Sequence, residues 1–223
     1  MHCLWCDEEQ IPDIVWTTVF APRKEKVICD ACESQFSFLH GTQCSHCARP
    51  MEKTEICSDC LKWKEQGGVL KRNVSMYAYN EWMKDVIAKW KYRGDYVLVG
   101  LFKEHVVRSF TQTFPSKDAV LVPIPLSEER LEERGFNQAL AIAECLDLPI
   151  KQGLSRIHSE KQSKKSRADR MRSTNSFQVI LPIKQPVILV DDIYTTGRTL
   201  QFAAEALMKE GCPSVESFTL VRG

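Results

Sequence analysis

The sequence predicts an α/β protein, a parallel sheet flanked by helices, preceded by a small cysteine-rich module. Three observations predict it. Val187 to Val190 is a run of four apolar, mostly β-branched residues, the pattern of a strand covered on both faces. Apolar residues recur at helical spacing in Glu81 to Tyr92, Val97 to Phe110 and Leu200 to Met208. Eight of the ten cysteines lie in the first 60 residues. A chain of 223 residues is long enough for one full α/β core and a small accessory module.

The eight cysteines form four Cys-x2-Cys pairs: Cys3 and Cys6, Cys29 and Cys32, Cys44 and Cys47, Cys57 and Cys60. Each pair places two sulfurs within reach of one Zn2+, and a structural site needs four, so two zinc ions are the simplest inference. Disulfides are the main rival, disfavoured in a reducing cytosol. Sequential pairing, with Cys3, Cys6, Cys29 and Cys32 on one ion and Cys44, Cys47, Cys57 and Cys60 on the other, needs only local hairpins. An interleaved cross-brace remains open. Ile14 to Phe20 suits one arm of such a hairpin, with Pro22 at its bend. So small a module has almost no core of its own, so metal should hold its fold and its role is to present a surface. His2, His40 and His46 read as solvated loop residues.

Leu61 to Arg72, with Gly67-Gly68 among charges, reads as a linker, dividing the chain into a zinc module over 1–66 and a second domain over 67–223. In Glu81 to Tyr92, Trp82, Met83, Val86, Ile87 and Trp90 share one helical face, with Trp90 in the core, and Gly94 ends the helix. Val97 to Phe110 follows as a helix in which His105 is a surface or boundary residue. Asp118 to Pro125 is a strand ended by proline. The next stretch, Leu126 to Gln138, is a loop in which Arg134 beside Gly135 is well placed for phosphate oxygens, and Asn137 caps a helix over Leu140 to Leu146.

Residues 151–172 carry eight Lys or Arg against two acidic residues. Such a segment is a mobile loop over a diphosphate, a track for a nucleic-acid backbone, or merely a solvated surface. It has no aromatic residue for bases to stack on, which favours backbone contact, through Lys161, Lys164, Lys165, Arg167, Arg170 and Arg172.

The most informative stretch follows. Asp191 and Asp192 fall at the carboxyl end of the Val187 strand, the edge where open α/β sheets collect ligands. Thr195, Thr196, Gly197, Arg198 and Thr199 form a hydroxyl-rich bend opening a helix, and free amides at such a start suit a phosphate. An ordinary capped turn is the plain alternative. Tyr194 could stack on a base, although packing or a solvent-facing ring is the more natural role for it. Gly211 closes the last helix before a strand over Ser214 to Val221. Cys145 and Cys212 read as small buried hydrophobes.

Charge is uneven: residues 1–70 hold 7 basic against 11 acidic residues, a net of −4, and the remainder is basic. No stretch is long and apolar enough to cross a membrane and no basic-then-apolar leader opens the chain, so membrane insertion is not expected and a cytoplasmic location is.

The string Val187-Ile-Leu-Val-Asp-Asp-Ile-Tyr-Thr-Thr-Gly-Arg-Thr199 resembles the phosphoribosyl pyrophosphate signature of type I phosphoribosyltransferases. The resemblance implies that Asp191 and Asp192 hold ribose hydroxyls while residues 195–199 cradle the 5-phosphate; an active enzyme would further hold Mg2+ on the diphosphate. Pro123-Ile124-Pro125-Leu126, Arg134-Gly135-Phe136-Asn137-Gln138, Gln162, Arg167, Asn175, Phe177, Lys91-Tyr92-Arg93-Gly94 and the cysteine pairs together resemble the ComF (ComFC) competence family. That resemblance implies a phosphoribosyltransferase-type domain fused to a zinc module. It further implies a role in natural transformation, handling incoming single-stranded DNA beside a helicase-like ATPase at the inner face of the membrane. Two functions compete. As an enzyme, the chain would use Asp191 and Asp192 catalytically in transferring phosphoribosyl to a nucleobase or amine, yet no acceptor site is recognisable. As a binding protein, it would keep the sugar-phosphate pocket and engage DNA and protein partners. The second needs fewer unseen parts and is favoured.

Overall fold

The computed structural model describes residues 2–10, 26–92, 94–157 and 176–223. Among them the helices are α1 (Asp30–Glu33), α2 (Ser58–Glu65), α3 (Glu81–Tyr92), α4 (Lys103–Thr113), α5 (Glu128–Arg134), α6 (Gln138–Ala143) and α7 (Arg198–Lys209), with a 3-10 helix at Tyr96–Leu101. The strands are β1 (Asn73–Ala78), β2 (Val120–Pro123), β3 (Leu154–Arg156), β4 (Phe177–Val179), β5 (Val187–Tyr194) and β6 (Val215–Arg222). Four of them form one sheet in the order β1-β6-β5-β2, every neighbouring pair parallel. The short strands β3 and β4 pair antiparallel outside it.

The alternation of strand side chains divides the core in two. Leu121, Ile188, Val190, Phe218 and Leu220 face α3, α4 and α6, where Met83, Val86, Ile87, Trp90 and Ile142 are all buried, as is Phe102 just before α4. Val120, Val122, Val187, Leu189 and Val215 face Leu200, Ala203, Ala204 and Leu207 of α7 and Leu154 and Phe177 of the hairpin. Complete burial of each large aliphatic side chain contributes roughly 1.5–3 kcal/mol, so both layers are needed to hold the sheet. The cysteine-rich segment joins both. Cys3, Cys29, Cys32 and Phe36 belong to the first layer, and Cys44, Cys47, Cys57 and Cys60 to the second. Phe36 stacks on Tyr77 with centroids 4.8 Å apart and meets Trp82 edge-on at 4.8 Å.

The same segment covers the free edge of β1. Phe38 bridges to Tyr77 antiparallel, the Leu39 amide donates to Met76 O at 2.8 Å, and the Ala78 amide donates to Ser37 O at 2.8 Å. His105, expected as a surface or boundary residue, is half-buried and shares a 2.7 Å hydrogen bond with the Tyr77 hydroxyl, beside Phe36 and Phe38.

Several expected boundaries are corrected. Ser58–Glu65 is a helix, so the linker is shorter than Leu61 to Arg72. Leu126 to Gln138 is not all loop: Ser127 caps α5 by accepting from the Arg130 amide, and Gly135 ends it at φ 76°. The helical pattern from Val97 is broken at Phe102, with a 3-10 turn before it and α4 after it. β5 runs through Asp191 and Asp192 to Tyr194, so the acidic pair sits within the strand's last half and not beyond its end. The hairpin arm Ile14 to Phe20 with Pro22 lies outside the described residues. Among the described residues, no helix is long and apolar enough to cross a membrane.

Candidate functional site

The cysteines gather into two groups, Cys3, Cys6, Cys29 and Cys32, and Cys44, Cys47, Cys57 and Cys60, with the four sulfurs of each within 4.8 Å of one another. Pairing is therefore sequential, and the interleaved arrangement is excluded. All eight thiols are free of disulfides. A tetrahedral site with Zn–S near 2.3 Å has S–S edges of about 3.8 Å. Cys6 to Cys29 and Cys47 to Cys57 each measure 3.7 Å, which fits. Amides support the sulfurs: Cys29 N donates to Cys3 Sγ at 3.3 Å and Cys57 N to Cys44 Sγ at 3.3 Å. Four thiolates leave no open position, so each group suits a structural and not a catalytic ion.

At the carboxyl edge of the sheet, Asp191 and Asp192 face different surroundings. Asp192 is buried, 8% exposed, its Oδ1 accepting from the Ile193 amide and its Oδ2 ion-paired with Lys91 from the last turn of α3. Asp191 accepts from the Asp192 amide at 2.9 Å. Burial, and next the neighbouring Asp192 charge, push its carboxyl up to about 8, while Lys91 acts in the opposite direction. Besides Lys91, Arg156 lies within electrostatic reach of Asp191. Arg156 on β3 donates to Pro125 O at 2.9 Å and lies over the Phe177 ring at 5.2 Å. Burial lowers its guanidinium, and the Asp191 charge counters that, with Arg130 and Arg134 close enough to oppose it. Arg134, at the end of α5, donates from Nη1 to Gln138 Oε1 at 3.0 Å. Its Nε and the Nε2 of Gln138 are buried without a partner among the described residues.

The bend after β5 is shaped by one glycine. Gly197 sits at φ 78°, and a β-carbon there would strike the hydroxyl end of Tyr194. The Tyr194 ring is 4% exposed and lies under the Arg222 guanidinium at 4.9 Å, so it packs inward and offers no face to a base. Thr195, Thr196 and Arg198 are exposed, and Thr199 half-buried at the start of α7. Among the described residues, no internal hydrogen bond consumes the amides of Thr195, Thr196 or Gly197. The Thr196 carbonyl is turned the other way, accepting from Trp63 Nε1 of α2 at 2.9 Å. Arg198 stacks over Phe202 at 5.2 Å.

The structure therefore places Asp191, Asp192 and the bend 195–199 in succession at the end of β5, with Arg156 within electrostatic reach of Asp191 and Arg134 within reach of Arg156. The basic residues Lys161, Lys164, Lys165, Arg167, Arg170 and Arg172 lie outside the described residues, as do Arg93, Gln162 and Asn175. Four contributors are not evident as site residues from sequence: Lys91, Arg156, Gln138 and Arg222. Lys91 stands in the Lys-Tyr-Arg-Gly string, and Arg222 is a charged residue closing an apolar strand, which is itself a signal.

A family model described as a phosphoribosyl transferase domain matches residues 131–223, and one described as a double zinc ribbon domain matches residues 1–61. Competence protein ComFC of Bacillus subtilis is 41% identical, over 99% of this chain and 94% of that protein. Competence protein ComFC of Streptococcus pneumoniae is 29% identical over the whole of both. DNA utilization protein YhgH of Escherichia coli is 23% identical over 87% of this chain and 90% of that protein. The fold is thus a type I phosphoribosyltransferase-like sheet carrying a double zinc ribbon, and the chain belongs to the ComFC competence protein family.

Proposed function

We propose that this chain serves DNA uptake, in keeping with relatives named for competence and DNA utilization, and that its sheet domain keeps a site for phosphoribosyl pyrophosphate or a related sugar phosphate. One observation carries the ligand half: the acidic pair, ion-paired with Lys91 and within electrostatic reach of Arg156, leads directly into a bend with uncommitted amides, and Arg134 lies within reach of Arg156. Carboxylates accept from sugar hydroxyls, and amides with an αL glycine cradle a phosphate. Arg134 Nε and Gln138 Nε2, donors without a partner among the described residues, would find acceptors in a diphosphate's oxygens after a side-chain shift, since both atoms are buried. Mg2+, which keeps most of its water and binds few carboxylates, would neutralise that diphosphate. In this reading Asp191 and Asp192 orient the ribose, Thr195 to Thr199 hold the 5-phosphate, and Arg134 with Arg156 meets the opposite end.

The DNA half rests on the basic run Lys161, Lys164, Lys165, Arg167, Arg170 and Arg172, suited to a single-stranded backbone in the cytoplasm, with a helicase-like competence ATPase as partner. Calorimetry with Mg2+ and phosphoribosyl pyrophosphate tests the ligand: saturable binding lost in Asp191→Asn/Asp192→Asn is expected, and no binding by the wild type overturns it. Fluorescence anisotropy with labelled single strands tests the DNA half. Affinity should fall steeply with salt, and neutralising Lys164, Lys165, Arg167 and Arg170 should flatten the slope; an unchanged slope removes these residues from the role.

A second reading is favoured by the placing of Asp191: its half-buried carboxyl sits beside Asp192 and within electrostatic reach of Lys91 and Arg156, and burial pushes it up, the character of a proton-transfer group. Release of pyrophosphate with any nucleobase or amine would establish a transferase.

A further inference from the structure

The phosphate bend is held from behind by the second zinc ribbon. Trp63, three residues after the ligand Cys60, donates its indole N–H to Thr196 O at 2.9 Å and meets Phe202 of α7 edge-on at 6.4 Å. Arg222, at the end of β6 and 5% exposed, reaches both structures at once. Its Nε donates to Cys47 O at 3.1 Å, its Nη2 lies 3.8 Å from Cys47 Sγ, and its Nη1 donates to Tyr194 O at 3.2 Å. Its plane covers the Tyr194 ring, which fills the space that the missing Gly197 side chain leaves. Just beyond the ribbon, the Leu70 amide donates to the Gln201 side chain of α7 at 3.3 Å.

Two physical consequences follow. In a trans peptide the carbonyl and the next N–H point opposite ways, so a Thr196 carbonyl held by Trp63 turns the Gly197 amide to the other side of the bend, free to meet an anion. Four thiolates around one Zn2+ carry a net charge of about −2, which would repel a phosphate bound at the bend. Arg222 stands between them and offsets that charge where the dielectric is low.

We infer that the second zinc ribbon is the buttress of the phosphate bend, and that Trp63 and Arg222 are its positioning residues, Trp63 by geometry and Arg222 by geometry and charge. The inference rests on the reading of the bend as a phosphate site. Its test therefore includes a measurement without ligand. Hydrogen exchange of residues 195–200 and calorimetric affinity for phosphoribosyl pyrophosphate with Mg2+ are compared in the wild type, Trp63→Phe, Arg222→Lys and Arg222→Met. Zinc content and melting temperature are followed as controls.

Trp63→Phe keeps an aromatic six-membered ring but loses the N–H and the rest of the indole, so it should retain two zinc ions, speed exchange of 195–200 and weaken binding roughly threefold to tenfold. Arg222→Met should weaken binding more at low salt than at high salt, a difference that lost packing alone would not produce. Arg222→Lys should recover that salt-dependent part. Should Arg222→Met not fold, Trp63→Phe decides the geometric claim and Arg222→Lys the charge claim, the latter requiring a wild-type salt profile. Wild-type exchange and affinity in Trp63→Phe would overturn the buttress. A wild type that binds no ligand, with faster exchange in Trp63→Phe, would remove the ligand reading and leave the buttress standing.

Discussion

Replacing Lys91 by methionine removes the cation from Asp192 while keeping most of the apolar stem that packs beside it. The two side chains are 15% and 12% exposed, so the carboxylate is left nearly desolvated with only the Ile193 amide as donor. Breaking a fully buried pair from one side costs about 3–5 kcal/mol; here the residual contact with water reduces that to about 2–4 kcal/mol. Urea unfolding monitored by far-ultraviolet dichroism measures it as a shift in midpoint at constant slope. A double-mutant cycle is the decisive comparison. Asp192→Asn leaves no charge to be orphaned, so Lys91→Met/Asp192→Asn should recover most of the loss, with a coupling of at least about 1.5 kcal/mol. A Lys91→Met cost under about 0.5 kcal/mol, or two changes that simply add, would show that Lys91 does not hold Asp192, and the account of the acidic pair would fail.

Gly197→Ala should destabilise the fold by about 2–4 kcal/mol, combining αL strain with displacement of the Tyr194 ring, and should abolish sugar-phosphate binding. Its cost should shrink in a Tyr194→Leu background, and an equal cost in both would refute the clash. Because the Asp191 carboxyl is raised to about 8, the neutral form is the one the ligand-free fold prefers: stability should decline as pH rises from the ordinary carboxylate range to about 8 and level off above it. Affinity for Mg2+ and phosphoribosyl pyrophosphate should rise over the same window if ionised Asp191 is required, and a flat calorimetric profile across that window would refute it. Metal analysis should find two Zn2+ per chain. A chelator should strip the Cys3, Cys6, Cys29 and Cys32 site first, because Cys6 is exposed whereas Cys44, Cys47, Cys57 and Cys60 are all buried; a single release phase would contradict the difference.

Short-range patterns are legible in the sequence and long-range pairings are not. Val187 to Val190, the apolar face of α3 and the spacing of α7 carry periods that local reading recovers, and four Cys-x2-Cys pairs announce two tetrahedral sites. α5 is hard to read because Glu-Glu-Arg-Leu-Glu-Glu-Arg has one apolar residue and therefore no stripe. Its signals are the ends alone, Ser127 and Gly135. The hairpin of β3 and β4 is three residues per strand, too short for alternation to register. At the site, the acidic pair and the bend can be placed at a strand end, but their partners come from elsewhere. Nothing local joins Lys91 to Asp192, or Trp63 to a carbonyl 133 residues away. Tyr194 turns inward because Gly197 leaves it a seat, a relation that becomes visible only once the bend has a shape.

The pairing of Ser37 to Leu39 along β1 has a practical consequence for dissecting the protein. A fragment beginning near residue 67 would expose a row of unsatisfied strand amides and carbonyls beside Tyr77 and Met76, an invitation to intermolecular stacking. The catalytic-looking half is thus not a detachable part, and attempts to express it by itself should yield inclusion bodies.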